Sequence, residues 1–345
     1  MQRESFPLVS VIIPAYNPPA VLFQACLQSV LDQDYPDLEI IVVDDGSNSD
    51  SAALMDDLAD RNACIRVIHQ ENAGEGAARN KGLENASGEY LIFVDADDGL
   101  ADKWIIDAVR LSEDEDADIV AGRVLQVDKV PKTKQPSALY SCRTFDIDEL
   151  WQLQRDFLYD STSLIDGIAY LDPGVCSKLI KRNCITDLRF PVGIKLSSDQ
   201  VFNHAMLRRA KRYVITNELA YYYVSNTDSV SHVYNPSAVS IMMHSMELIR
   251  PLLLDNPEVV QAFCFRAIRE ICVAIQFSAF SDQHPLGYKE RVDRVKEACS
   301  QPLLREALSH VDISKLPSRS WKAKAWLLKH KRASLYVLMK KLSDR

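Results

Sequence analysis

Three acidic side chains follow one short apolar run of the sequence. Residues 90–94 (YLIFV) are predicted to form a buried strand, and Asp95, Asp97 and Asp98 come directly after it. Carboxylates held this close together repel one another, and a shared divalent cation relieves the repulsion. Magnesium is typically bound by one or two carboxylates together with substrate phosphates. The group therefore predicts a site for Mn²⁺ or Mg²⁺, while the alternative is a solvated acidic turn before the next helix.

Three earlier apolar runs also end at polar clusters. The runs are residues 8–13, 38–43 and 65–69. The residues that follow them include the candidate binding residues Pro14, Tyr16, Asn17, Asp44, Asp45 and Arg79. Apolar strands that alternate with helical stretches of about 10 to 15 residues predict βαβ units and a parallel sheet covered on both faces. Because ligands bind such sheets at the carboxyl ends of the strands, these side chains are expected at one edge.

The motifs at the four strand ends resemble those of one known family. In order they read VSVIIPAYN, IIVVDDGS, ENAGEGAARNKG and GEYLIFVDADD. Together they are similar to the nucleotide-sugar half of family 2 glycosyltransferases, over about residues 8–110. The resemblance implies an α/β fold of the GT-A type, with a mostly parallel sheet flanked by helices and, here, a helical C-terminal extension.

The resemblance also implies a reaction. The expected enzyme is a metal-dependent inverting glycosyltransferase that moves a sugar from a nucleoside-diphosphate sugar, most simply a UDP-sugar, to a saccharide or lipid-linked acceptor. The expected setting is the assembly of cell-surface polysaccharide or glycolipid. Asp97, with Asp95 or Asp98, is expected to hold Mn²⁺ or Mg²⁺ against the diphosphate.

Roles in donor binding follow from the same resemblance. Asp44 or Asp45 is expected to accept the imide N–H of uracil, and Tyr16 to stack on the base. Arg79 is expected to contact the pyrophosphate, which suits a guanidinium. The alternatives are a helix N-cap for Asp45, a core position for Tyr16 and a surface ion pair for Arg79. The expected donor-binding residues are Pro14, Tyr16, Asn17, Asp44, Asp45, Arg79, Asp95 and Asp97.

Asp199 is the candidate general base for the acceptor hydroxyl. It lies at the predicted start of a helix, from which a carboxylate can project into a cleft. The family usually has Glu-Asp here, whereas this chain has Ser198 before Asp199. The alternative for Asp199 is a helix-start acid favoured by the helix dipole. His232 is a further candidate for contact with the metal or the diphosphate, the alternative being a structural histidine.

Two other functions fit parts of the sequence. The missing glutamate before Asp199 is compatible with a catalytically inactive scaffold that binds a nucleotide sugar. A nucleotidyltransferase on a similar sheet would carry a Gly-rich basic loop early in the chain, where Pro18 and Pro19 stand instead. A dinucleotide-dependent dehydrogenase is disfavoured, because the G-x-G-x-x-G motif is absent.

Length and composition predict how the chain is organised. A chain of 345 residues exceeds the usual size of a single core, so an α/β domain with an appended unit is expected. The expected parts are a nucleotide-sugar-binding half at residues 1–125, an acceptor-binding half at 126–235 and a helical region with a basic tail at 236–345. A net charge of −8 argues against a nucleic-acid partner. The eight cysteines include no C-x-x-C pair and are expected to be core thiols in a reducing compartment.

The end of the chain differs from the rest in charge. Residues 321–345 carry eight Lys or Arg and one acid, a net charge of +7, so that the remainder carries −15. Their apolar residues fall roughly on a helical repeat, which predicts a basic amphipathic helix. Such a helix either lies on an anionic membrane surface or packs against the acidic body. No signal peptide or membrane-spanning run is visible, so we expect a cytoplasmic protein with peripheral contact to the inner face of the cell membrane.

Overall fold

The structure is a computed structural model that describes residues 6–131, 141–159, 174–194, 197–225, 235–281, 285–316 and 318–343. His232 lies outside the described residues. The chain forms two compact units. The first contains the residues up to Leu150 and the described residues between 161 and 226, and the second contains residues 151–159 and the described residues from 235 onwards.

The described part of the first unit contains nine strands in a single sheet. Their bounds are β1 Val9–Ala15, β2 Leu38–Asp44, β3 Ile65–His69, β4 Tyr90–Phe93, β5 Gly99–Leu100, β6 Ile119–Val127, β7 Cys142–Asp146, β8 Lys178–Lys181 and β9 Arg212–Val224. The strand order is β3-β2-β1-β4-β8-β6-β9-β5, and β7 pairs with β9. The strands β3, β2, β1 and β4 are mutually parallel. The remainder is mixed, because β8 is antiparallel to both β4 and β6.

Buried apolar side chains explain the parallel part of the sheet. Every residue of β1 and of β4 is buried, and so is β2 from Ile40 onwards. Fully buried strands of this kind are typical of sheets that have helices on both faces. The α/β fold class expected from the sequence is confirmed. The register pairs Asp44 with Ala15 on one side and with His69 on the other, so these strand ends meet at one edge.

The described residues form twelve α-helices. Those of the first unit are α1 Ala20–Leu31, α2 Ser49–Asp60, α3 Glu75–Asn85, α4 Trp104–Asp114 and α6 Ser198–Leu207. Those of the second unit are α5 Leu150–Tyr159, α7 Ala238–Ile249, α8 Pro257–Ala279, α9 Tyr288–Ser300, α10 Pro302–His310, α11 Arg319–Lys329 and α12 Ala333–Ser343. None of the described helices combines the length and the apolar character needed to cross a membrane.

The basic tail forms two helices, where the sequence predicted one. α11 ends because Lys331 adopts a left-handed backbone conformation, with φ of 52°. The N–H of Lys331 donates to the Leu328 carbonyl at 3.1 Å, and the N–H of Arg332 donates to the Leu327 carbonyl at 2.8 Å. This is the Schellman arrangement of a helix end, which usually uses glycine. Because this position holds Lys331 and not glycine, the sequence gives no signal that the helix ends here.

Candidate active site

The acidic residues after β4 form a tight turn at the edge of the sheet. The N–H of Asp98 donates to the Asp95 carbonyl at 3.1 Å. The side chain of Asp95 is 34% exposed, and that of Asp97 is half-buried. Among the described residues, no three His, Cys, Asp or Glu side chains are grouped so as to hold a metal by themselves. Two carboxylates open to solvent are nevertheless the donor set that Mg²⁺ and Mn²⁺ use when substrate phosphates complete the coordination, so Asp95 and Asp97 fit such an ion.

Asp98 connects this turn to β9. It is 2% exposed, and its carboxylate accepts the Tyr221 hydroxyl at 2.8 Å and the Val224 N–H at 2.7 Å. The Tyr221 oxygen in turn accepts the N–H of Asp95 at 3.0 Å. Burial and the neighbouring Asp95 raise the pKa of Asp98 to about 8, although both hydrogen bonds act in the opposite direction. Both oxygens of Asp98 already accept hydrogen bonds from β9. Its role in metal binding remains a prediction.

Arg79 lies on α3 beneath the carboxylates. Its side chain is 3% exposed, and its Nη2 contacts Asp95 Oδ1 at 2.8 Å and Glu75 Oε1 at 2.6 Å. Burial would lower the pKa of Arg79, but Asp95 and Glu75 raise it above its ordinary value. Nε and Nη1 are buried and have no hydrogen-bond partner. Arg79 therefore compensates charge inside the site and orients Asp95, and its contact with a pyrophosphate remains a prediction.

Glu75 belongs to the site although the sequence did not single it out. It occupies the first turn of α3, and its side chain is 56% exposed. Desolvation raises the pKa of Glu75, the Arg79 guanidinium lowers it, and the charges of Asp95 and Asp199 raise it again, so that the net shift is upward. The position of Glu75 four residues before Arg79, where helical side chains meet, is the signal that could have found it.

Asp199 comes close to this group from a distant part of the sequence. It is half-buried in the first turn of α6, and its Oδ1 accepts the N–H of Gln200 at 2.8 Å. Asp199 is near enough for its charge to raise the pKa values of both Glu75 and Arg79. The structure thus brings the predicted base to the same edge as the predicted metal ligands.

Asp44 lies at the end of β2 and is almost fully buried. Its carboxylate accepts the N–H of Ser47 at 2.9 Å and contacts the Nδ1 of His69 at 2.7 Å. Burial alone would raise the pKa of Asp44, but the hydrogen bonds from Ser47 and His69 lower it below its ordinary value. The lowered pKa favours the ionised form of Asp44, which is an acceptor of hydrogen bonds such as that of an imide N–H.

Asp45 fixes the loop that leads into α3. Its Oδ1 accepts from Gln70 Nε2 at 2.7 Å and from the Ala73 N–H at 2.9 Å, and its Oδ2 accepts from the Gly74 N–H at 2.8 Å. It does not cap α2, whose N-cap is Asn48. A carboxylate has about four lone-pair directions, so Asp45 retains capacity for a ligand.

The residues after β1 border the same edge. Pro14 is buried within β1 opposite Val43, whereas Tyr16 is 58% exposed and is no core residue. Asn17 donates its N–H to Ser47 Oγ at 2.9 Å, and its side-chain oxygen accepts the N–H of Asn48 at 2.8 Å. Asn17 thereby ties the loop after β1 to the start of α2, and it leaves the Tyr16 ring exposed at the surface.

The mixed sheet, with its polar edge at the ends of the parallel strands, agrees with the GT-A architecture expected from the sequence. The chain matches the model of glycosyl transferase family 2 over residues 10–170. It is 30% identical over 231 residues to glycosyltransferase GlyG of Streptococcus pneumoniae, covering 65% of this chain and 72% of GlyG. The chain belongs to glycosyltransferase family 2.

Further comparisons agree with this assignment. The uncharacterized glycosyltransferase EpsJ of Bacillus subtilis is 32% identical over 232 residues, which cover 67% of this chain and 65% of EpsJ, so the chain spans just under two thirds of that relative. Among solved structures, S. aureus TarS 1–349 in complex with UDP-GlcNAc superposes with a TM-score of 0.67 at 19% identity, covering 96% of this chain and 89% of that one. At that identity the likeness concerns the fold.

Proposed function

We propose that the chain transfers a sugar from a UDP-sugar to a saccharide or lipid-linked acceptor, with inversion, in the assembly of cell-surface polysaccharide or glycolipid. The proposal rests on two observations: the charges of Asp95, Asp97 and Asp199 all act on Glu75, and Phe202, three residues after Asp199, stacks on the Phe190 ring over which Arg79 lies. Asp95 and Asp97 suit a metal–diphosphate group, and Asp199 suits an attacking hydroxyl. The complex of S. aureus TarS with UDP-GlcNAc supports a UDP-sugar as donor.

The donor is placed by the strand ends. Asp95 and Asp97 would hold Mn²⁺ or Mg²⁺, which would supply positive charge against the departing diphosphate. Arg79 orients Asp95 through their contact at 2.8 Å. If Arg79 itself donates a hydrogen bond to the pyrophosphate, the donor would be Nε or Nη1, which have no partner.

The nucleoside binds beside the metal group. Asp44 or Asp45 accepts the imide N–H of uracil, and the exposed Tyr16 ring stacks on the base. The loop geometry supplied by Pro14 and Asn17 holds that ring at the edge. The negative charge of Asp44 favours a hydrogen-bond donor such as the imide N–H of uracil.

Asp199 acts on the acceptor. Its carboxylate takes the proton of the acceptor hydroxyl while that oxygen forms a bond to the anomeric carbon. The bond from that carbon to the diphosphate oxygen breaks at the same time, and its electron pair leaves with UDP. A single displacement of this kind inverts the configuration of the sugar.

Thermal unfolding with donor nucleotides tests the binding part of the proposal. UDP, UDP-GlcNAc and UDP-glucose are added with and without Mn²⁺, and a ligand present at 100 times its Kd stabilises by about 2.7 kcal/mol. We expect stabilisation that needs Mn²⁺ and is lost in Asp97→Asn but not in Asp114→Asn, an exposed acid on α4. Equal stabilisation of both variants contradicts the metal assignment. Nucleotide binding without release of UDP from the donor, whichever acceptor is added, would favour the inactive scaffold.

We further propose that the tail touches an anionic membrane surface from the cytoplasmic side. Trp326, Leu335 and Leu338 on α11 and α12 are between 47% and 50% exposed. The neighbouring Lys331 and Arg332 are exposed as well. Apolar side chains flanked by basic ones suit the headgroup region of an anionic bilayer, where each cation adds about 1 kcal/mol. A lipid-linked acceptor would be presented at the same surface.

A further inference from the structure

Asn80 follows Arg79 on α3 and binds a segment far away in the sequence. Its Nδ2 donates to the Phe190 carbonyl at 2.8 Å, and its Oδ1 accepts the Phe190 N–H at 2.8 Å. Because one amide group makes both bonds, it cannot rotate without losing them. The first turn of α3 lies against the same segment, since a Cβ on Gly76 would be 2.7 Å from the Pro191 carbonyl oxygen. Residues 190–191 are therefore fixed to α3.

The Phe190 ring carries this connection to α6. It stacks on Phe202 with ring centres 3.9 Å apart and planes inclined by 4°. Phe93, at the end of β4, packs its ring edge-on against Phe190 at 5.2 Å. Phe190 and Phe202 are 1% and 0% exposed. Phe202 lies three residues after Asp199, so the stack fixes the helix turn that carries the carboxylate.

The other side of Phe190 faces the ion pairs of the site. The guanidinium carbon of Arg79 lies 5.3 Å from the centre of the Phe190 ring. Arg79 contacts Asp95, and Asn80 holds Phe190, so two consecutive residues of α3 anchor the metal side and the acceptor side.

We propose that Asn80 is a positioning residue for the transfer reaction. Asn80 holds Phe190, and Phe190 stacks on Phe202 of α6. Through these contacts Asn80 sets the distance between Asp199 and Asp95. The inference rests on the proposed function, in which Asp199 is the base. Displacement of a reacting group by about 1 Å can cost a factor on the order of 10² in rate, so a small shift of α6 is expected to appear in turnover.

Kinetics of three variants test the inference. Turnover is followed as UDP release from UDP-GlcNAc or UDP-glucose with Mn²⁺, and UDP affinity is measured by calorimetry. Asn80→Ala should lower kcat about 10- to 100-fold and leave the Kd of UDP within about threefold. Asn80→Asp keeps an acceptor for the Phe190 N–H but places a negatively charged oxygen against the Phe190 carbonyl oxygen, so its kcat should fall at least as far as that of Asn80→Ala. The control is Asn85→Ala, whose amide donates to Lys81 within the same helix and which should keep the parental kcat.

A double variant separates positioning from general loss of stability. If Asn80 acts through the base, Asn80→Ala should change the residual rate of Asp199→Asn by less than about twofold, because residues that act as a unit are not additive. Full multiplication of the two effects, or parental kcat in Asn80→Ala, overturns the inference. A parental rate in Asp199→Asn overturns the proposed base instead.

Hydrogen exchange gives a readout that needs no turnover. Asn80→Ala should speed amide exchange in residues 200–204 of α6 by more than about tenfold and leave α8 unchanged, because opening rates follow local stability. Unchanged exchange in α6 overturns the inference even if the chain proves to be catalytically inactive.

Discussion

The Tyr221 hydroxyl is a sensitive point of the carboxylate turn. It accepts the Asp95 N–H at 3.0 Å and donates to Asp98 at 2.8 Å, so it joins both ends of the turn to β9. Tyr221→Phe removes this one oxygen and keeps the ring. The change leaves Asp98 with the Val224 N–H alone and leaves the Asp95 N–H without its acceptor.

The size of the effect follows from burial. A buried polar group that loses its partner costs about 1 to 3 kcal/mol. Asp98 is 2% exposed and bears the full penalty, whereas the hydrogen bond of the Asp95 N–H is only partly buried, so water can replace part of it. We expect a loss of about 2 to 3 kcal/mol in the free energy of unfolding, which for a unit of this size lowers Tm by about 4 to 12 °C. Because the turn also carries Asp97, the Mn²⁺-dependent affinity for UDP should fall as well.

Denaturant and thermal unfolding of Tyr221→Phe and Tyr223→Phe provide the assay. Tyr223 lies on the same strand and is 43% exposed, so its loss of a hydroxyl should change stability by less than about 0.5 kcal/mol. Equal stability of the two variants would refute the bridging role of Tyr221. Unchanged UDP affinity with Mn²⁺ in Tyr221→Phe would show that the turn does not position the metal ligands.

Three further predictions concern other parts of the chain. Asp199→Asn should keep donor affinity and lower turnover by a factor on the order of 10² to 10⁴, and a large loss of UDP affinity in calorimetry would instead assign Asp199 to donor binding. The hydrogen bond that His69 donates to Asp44 raises the pKa of His69, so the protonated ring stabilises the fold fully below about pH 6.5 and this stability is lost as pH rises through the folded-state pKa. His69→Gln should therefore cost more in unfolding experiments at about pH 5.5 than at about pH 9, and a cost independent of pH contradicts the pairing. Replacing Leu335 and Leu338 by serine should weaken sedimentation with phosphatidylglycerol vesicles while the fold persists, added salt should weaken the parent, and undiminished sedimentation rejects the proposed membrane surface.

The parallel half of the sheet could be predicted because its signals are local. Each of β1, β2 and β4 is a run of apolar residues that stops at polar ones, and burial on both faces requires such runs. Their parallel alignment then places Asp44 and Asp95 at one edge. The carboxyl-edge location of these residues was therefore available from the sequence.

Side-chain partners across the fold were not available in the same way. Tyr221 is the first of three consecutive tyrosines in β9. Nothing in the local sequence indicates that its hydroxyl joins Asp95 to Asp98. Asn80 stands in a recognised motif, but its partner Phe190 is supplied by the tertiary fold. The sequence places Asp98 beside Asp95 and Asp97, but in the structure the Asp98 carboxylate is directed to β9.

The assignment of Asp97 and Asp95 to a diphosphate-bound metal is tested most directly by UDP release. The parent and Asp97→Asn are compared with UDP-GlcNAc or UDP-glucose and an acceptor panel, each in Mn²⁺ and in EDTA. We expect the parent to turn over in Mn²⁺ but not in EDTA, and Asp97→Asn to show almost no turnover in either. The unfolding of Asp97→Asn should match that of the parent, because we expect the fold not to need the ion. Undiminished UDP release in EDTA, or by Asp97→Asn in Mn²⁺, would contradict the metal-dependent mechanism.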